Sequence, residues 1–210
     1  MKKRIGSLAG LKFVALIIIF LEHCGIPEVF DYGARGCELL YLTSGFLVGY
    51  RQIYNKPATW KTTVEYFLRK IVKFYPLYIL TMCFALLYST NCNFRYVFTY
   101  GNIVRLVANM LFLQTWFGIS TINGPSWFLA TLMFCYIVSP VLVNITRKNN
   151  NILGQFLFVA SLRVLLDIQY YVYGNPLRIS LHTFPVIRML EYYMGILIVP
   201  FYLKFRGKVE

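Results

Sequence analysis

Residues 10–25 read GLKFVALIIIFLEHCG. Every position from Phe13 to Leu21 is apolar, and with its flanks the run extends from about Ile5 to Ile26. A helix crossing the hydrocarbon core of a bilayer needs roughly twenty such residues, because a backbone there has no water to bond. The stretch therefore reads as a spanning helix carrying a cation near its start and an imidazole near its end. Stepping from Lys12 to His23 at 100° per residue returns to within about 20° of the starting direction, so both project from one face, about 16 Å apart along the axis. Glu22 is turned about 100° away from His23 and is poorly placed to orient its ring.

The rest of the chain agrees with a membrane setting. Of 210 residues, 58% are hydrophobic and 14% charged, a balance that a water-soluble domain of this size would hardly keep in solution. Tyr and Phe, 17 and 18 of them, suit lipid-facing helices and interfacial belts. The five cysteines show no metal-ligand spacing, and no metal site is expected. Glu22 and His23 stand where a lipoprotein cleavage box needs small residues, which argues against lipidation at Cys24 and against a cleaved signal peptide.

Six stretches meet the length requirement: Ile5 to Ile26, Gly36 to Tyr54, Phe74 to Thr90, Ser126 to Thr146, Ile152 to Tyr173 and Phe184 to Phe205. A shorter one, Ile103 to Phe117, carries Arg105, Asn109 and Gln114. The basic residues Lys2 to Arg4, those from Arg51 to Lys73, Arg147, Lys148, Lys204, Arg206 and Lys208 all fall on one side of such a threading. Retention of Lys and Arg in cytoplasmic loops thus predicts six crossings with both termini inside, provided the 103–117 segment is re-entrant or interfacial. The net charge of +13 is accounted for by topology and does not call for nucleic acid. The expectation is an all-α polytopic transmembrane helix bundle, one membrane domain over residues 5–205, with about six spanning helices and one re-entrant or interfacial segment. The run TTVEYFLRKIVKFYP (62–76) suggests a separate helix on the inner surface before Pro76 opens the third span.

Charges at membrane depth are costly and usually face a partner or a cavity. Arg163 and Asp167, four apart, and Arg188 and Glu191, three apart, each share a helical face; mutual neutralisation and a place in a substrate path fit equally well. Lys12 and His23 also suit a snorkelling lysine and a histidine that only marks a helix end.

Several stretches in order resemble the acyltransferase 3 family of multi-pass membrane acyltransferases. IGSLAGLKFVALIIIFLEH (5–23) is similar to its first helix, GCELLYLTSGFLVGYR (36–51) to its second, and FLRKIVKFYPLYIL (67–80) to the basic run and proline leading into its third. NMLFLQTWFGISTINGPSWFLATLMFCYIVSPVL (109–142) resembles its Leu-Gln-x-Trp and Ser-Trp segments, and FPVIRMLEYYMGILI (184–198) a later Pro-x-x-Arg helix. Three features depart from the pattern. Lys12 stands for the family's arginine, keeping the charge without the bidentate fork. Leu132 lies near where many members have Glu. The family usually has about ten helices, so the chain looks like an interrupted domain.

The resemblance implies transfer of an acyl group, usually acetyl from acetyl-CoA, to a hydroxyl of an envelope or exported polysaccharide, with acetyl-CoA as a co-substrate and no tightly bound cofactor. His23 then acts as general base and Glu38, opening the second helix on the same outer side, as its orienting acid. Lys12, Arg69, Lys70 and Lys73 bind the donor, and Ser126 and Trp127 line the acceptor site. An ordinary end-of-helix role for Glu38 and a positive-inside role for the basic run remain alternatives. The expected partners are acyl-CoA, a carbohydrate acceptor, the lipid bilayer and a partner chain completing the bundle; the expected location is the inner or plasma membrane. The competing readings are an inactive truncated acyltransferase-like protein or accessory subunit, and, more weakly, a transporter.

Overall fold

The computed structural model describes residues 6–24, 33–53, 59–90, 99–174 and 180–207. Among them are seven helices and no strand: α1 (Gly6–His23), α2 (Gly33–Gln52), α3 (Trp60–Ser89), α4 (Tyr100–Met110), α5 (Ser126–Lys148), α6 (Ile152–Tyr173) and α7 (Pro185–Arg206). The chain is an all-α membrane bundle, as the length of its apolar runs predicts. Five helices, α1, α3, α5, α6 and α7, are long and apolar enough to cross a membrane. Helix α2 is the sixth expected span; it has 20 residues, but Arg35, Glu38 and Arg51 dilute its apolar character.

The described residues fall into two compact units. One gathers α1, α2, α5 from Val138, α6 and α7 from Val186; the other gathers α3, α4, the turns that follow it, and α5 through Ile137, with residues 180–185.

The first unit is built on contacts that only glycine permits. A Cβ at Gly45 would overlap the Tyr192 carbonyl, and one at Gly195 the Leu42 carbonyl. Helices α2 and α7 therefore meet backbone to backbone. Gly49, one turn beyond Gly45, faces Ile196 and Val199 at 3.0–3.3 Å from its hypothetical Cβ. In lipid, where hydrophobicity alone does not draw helices together, such small residues let van der Waals packing do so. Gly36 similarly receives Ile19 and the Ala15 carbonyl of α1, at 2.7 and 2.8 Å. Ala15 is the one buried residue among those described in α1. Leu11, Phe13, Val14, Leu16, Ile17 and Phe20 of α1 lie on the outside, Phe13 and Phe20 being 64% and 66% exposed, as a lipid-facing helix requires. At the other end of α2, Arg147 donates from Nε to the Ile53 carbonyl at 2.7 Å and from Nη2 to that of Gln52. These bonds satisfy carbonyls that the helix terminus leaves open.

In the second unit α3 is continuous over 30 residues with Pro76 inside it. The expected division into a surface helix and a span beginning at Pro76 is corrected here. Proline removes one N–H, but neighbouring groups in a membrane helix can accommodate that loss, and a capping box at Thr59 and Thr62 starts the helix well upstream. Helix α4 has 11 residues, giving about 16 Å, too short to cross. It ends in a Schellman motif: Leu113 N–H bonds the Ala108 carbonyl at 2.8 Å and Phe112 N–H that of Asn109 at 3.1 Å. The left-handed position, usually glycine, is Phe112 at φ 60°. Its ring is buried and packs 4.6 Å from that of Tyr78, centroid to centroid. This packing offsets the backbone cost of a positive φ.

Candidate active site

His23 is the last residue of α1 and is exposed. Its Nδ1 lies 2.8 Å from the carbonyl oxygen of Ile19, one turn back. A carbonyl only accepts, so Nδ1 carries the proton and Nε2 presents its lone pair. Lys12, half-buried, is on the same helix, and the spacing keeps the two on one face as the sequence predicts. Glu22 turns from His23 and accepts the backbone N–H of Gly33 through Oε2, joining the end of α1 to the start of α2.

Among the described residues no hydrogen bond or ion pair joins Glu38 to His23. Glu38 meets arginines instead: Arg35 at 2.9 Å, Arg163 at 3.4 Å and Arg188 at 3.7 Å. The orienting contact expected of Glu38 is made by the Ile19 carbonyl, which the helix itself supplies.

The two intrahelical pairs read from the sequence form parts of one cluster. Arg163 holds Asp167 at 2.5 Å and reaches Glu191 of α7 at 3.0 Å. Arg188 embraces both oxygens of Glu191, at 2.6 and 2.7 Å, and its guanidinium lies 5.8 Å from the Tyr41 ring centroid. Three arginines and three carboxylates from α2, α6 and α7 thus balance in charge. The cluster grades from buried to exposed, the Arg188 and Glu191 side chains being 2% and 4% exposed and that of Arg35 60%. Such pairing makes buried charge tolerable in a membrane interior.

The basic run on α3 divides into two kinds of residue. Arg69 and Lys73 are exposed and, four apart, share a face. Lys70 is half-buried, with Nζ 4.4 Å from the Tyr136 ring centroid and 5.2 Å from that of Tyr66, a cation–π arrangement.

Ser126 and Trp127 open α5. Ser126 is buried and adjoins the hydroxyl of Tyr78, whereas the half-buried Trp127 has its ring 4.3 Å from that of His182. The Thr131 hydroxyl donates to the Trp127 carbonyl at 2.8 Å and lies 3.3 Å from that of Thr183. His182 was not singled out by sequence reasoning. Its signal was available, since it is one of only two histidines, but nothing in its neighbourhood forms a motif. No group of His, Cys, Asp and Glu among the described residues could hold a metal ion.

The chain is similar to the acyltransferase MdmB of Streptomyces mycarofaciens, 26% identical over 165 residues, which cover 69% of this chain and 41% of that relative. It thus spans about two-fifths of the relative's length. No solved structure matches it. A family model described as "Acyltransferase domain" matches residues 5–210. With nearly every residue inside that match and an apolar helix bundle to carry it, the chain belongs to the acyltransferase 3 family.

Proposed function

We propose that the protein takes part in moving an acyl group, in the simplest case acetyl, from an acyl-CoA to a hydroxyl of an envelope or exported polysaccharide at the plasma membrane, with both termini on the cytoplasmic side. The observation that carries this reading is the state of His23: exposed at the end of a spanning helix, with Nδ1 held by the Ile19 carbonyl and Nε2 available as a base, in a chain of an acyltransferase family.

In this reading Nε2 of His23 takes the proton of the acceptor hydroxyl. The oxygen forms a bond to the thioester carbonyl carbon, the carbon–sulfur bond breaks, and the CoA thiolate leaves with the proton returned from the imidazolium. An ester and a free thiol result. Lys12 attracts the donor through its anionic or polar arm, and the exposed pair Arg69 and Lys73, with Lys70 held between tyrosines, contributes positive charge for its phosphates. Ser126 and Trp127 contact the acceptor. Glu38, committed to arginines, acts by fixing α2 against α6 and α7.

Transfer of labelled acetyl from acetyl-CoA into envelope polysaccharide, measured in membranes containing the protein, tests the assignment. His23→Ala is expected to lower the rate by about 10²–10⁴-fold. A wild-type rate in that variant would sink the mechanism.

A further inference from the structure

Gln114 is completely buried, and its Oε1 has no hydrogen-bond partner. The orientation of its amide is fixed by a chain of donors. The Tyr78 hydroxyl donates its one proton to the Asn109 carbonyl at 2.7 Å, so its oxygen can only accept from Gln114, whose Nε2 stands 3.4 Å away. Turning the amide over would set two acceptors against each other. Oε1 must therefore point away from Tyr78 with nothing to receive. The neighbouring Thr115 hydroxyl is also buried without a partner. Ser126, buried beside the Tyr78 hydroxyl, makes no well-formed hydrogen bond of its own.

Orphaned polar atoms are costly in a protein interior. Asn109, in the same unit, shows the contrast. Its Oδ1 accepts from Ile122 N–H at 3.1 Å, and its Nδ2 faces the Arg105 and Ser120 carbonyls at 2.9 and 3.2 Å. A fold that satisfies every polar atom of Asn109 leaves Gln114 with an acceptor aimed and unused. Phe117 and Gly118, three and four residues further along the chain, are exposed.

We infer that Gln114, oriented by Tyr78 and assisted by Ser126, is a specificity-determining subsite that receives a hydroxyl proton of a carbohydrate acceptor. This deepens the proposed function and rests on it for the class of ligand. The chemistry is directional: Oε1 demands a donor, so the ligand must bring a free O–H.

The test is ligand-induced thermal stabilisation of the full chain in lipid nanodiscs, with no acyl donor present, using a panel of methyl hexopyranosides and their permethylated counterparts. A rise in Tm with at least one free glycoside and none with its permethylated form is expected. Gln114→Met should weaken half-saturation by about tenfold or more while the unliganded Tm stays at or above that of the wild type, since the variant removes an orphan acceptor. If Gln114→Met does not fold, Ser126→Ala decides, and the same weakening is expected. No shift with any glycoside, which would mean that a buried water alone occupies the site, overturns the inference; so does an undiminished shift in the deciding variant. An intact free-glycoside shift beside a failed acyl-transfer assay counts against the proposed function alone, whereas loss of the shift counts against the subsite.

Discussion

The Nδ1 atom of His23 bonds the carbonyl oxygen of Ile19, 2.8 Å away and four residues back. Helix geometry thereby does what a separate carboxylate does in a triad: it selects the tautomer and turns the ring. The contact needs no partner helix, so it survives changes elsewhere in the bundle. Glu38→Gln is accordingly expected to leave the His23 tautomer unchanged. Nitrogen NMR shifts of the imidazole check this, and a tautomer change in that variant would restore Glu38 as the orienting group.

Arg188→Met should be strongly destabilising. It would leave the Glu191 carboxylate, 4% exposed, with one of its arginine partners gone, a loss of about 3–5 kcal/mol for a broken buried pair. The double variant Arg188→Met/Glu191→Leu removes both charges and should recover a large part of that loss. Reversible unfolding in mixed micelles, comparing the two proteins, gives the answer.

Gly195→Ala should prevent α2 and α7 from reaching their observed separation. Its Cβ would fall on the Leu42 carbonyl, which is backbone and cannot rotate aside as a side chain can. Gly10→Ala, where nothing lies within 4 Å of the added atom, serves as the control and should stabilise by about 0.5–1 kcal/mol through helix propensity. Comparing the thermal midpoints of the two variants separates packing from propensity.

At Phe112 the usual order of alanine and glycine should invert. Either change discards the buried ring, costing about 3–5 kcal/mol, but glycine accepts φ 60° without the penalty of about 1 kcal/mol that alanine incurs in the left-handed region. Phe112→Gly should therefore unfold at a higher temperature than Phe112→Ala.

Much of this molecule is legible in its sequence for physical reasons. Apolar runs in lipid specify helices directly, so α1 expected from Ile5 to Ile26 is observed from Gly6 to His23, and the short polar-studded segment around Arg105 forms a helix too brief to cross. Spacings of three and four correctly associated Arg188 with Glu191 and Arg163 with Asp167. What periodicity did not carry was the meeting of those pairs with each other and with Glu38, because side-chain contacts across α2, α6 and α7 depend on register, which the near-contact of Gly45 and Gly195 with facing backbone sets. Pro76 misled for a related reason: its effect on α3 is decided by surroundings and not by its own φ. The unused acceptor on Gln114 was illegible too, since it exists only once the Tyr78 proton is committed elsewhere.

The clasp between the Glu22 carboxylate and the Gly33 amide gives the histidine a mechanical ground. His23 is adjacent to Glu22, and Gly33 begins the helix that carries Glu38, so α1 and the arginine cluster share one anchorage. A ligand or substitution that shifts α2 would pull on the residue next to the imidazole, and the position of the base would report the state of charges that never touch it.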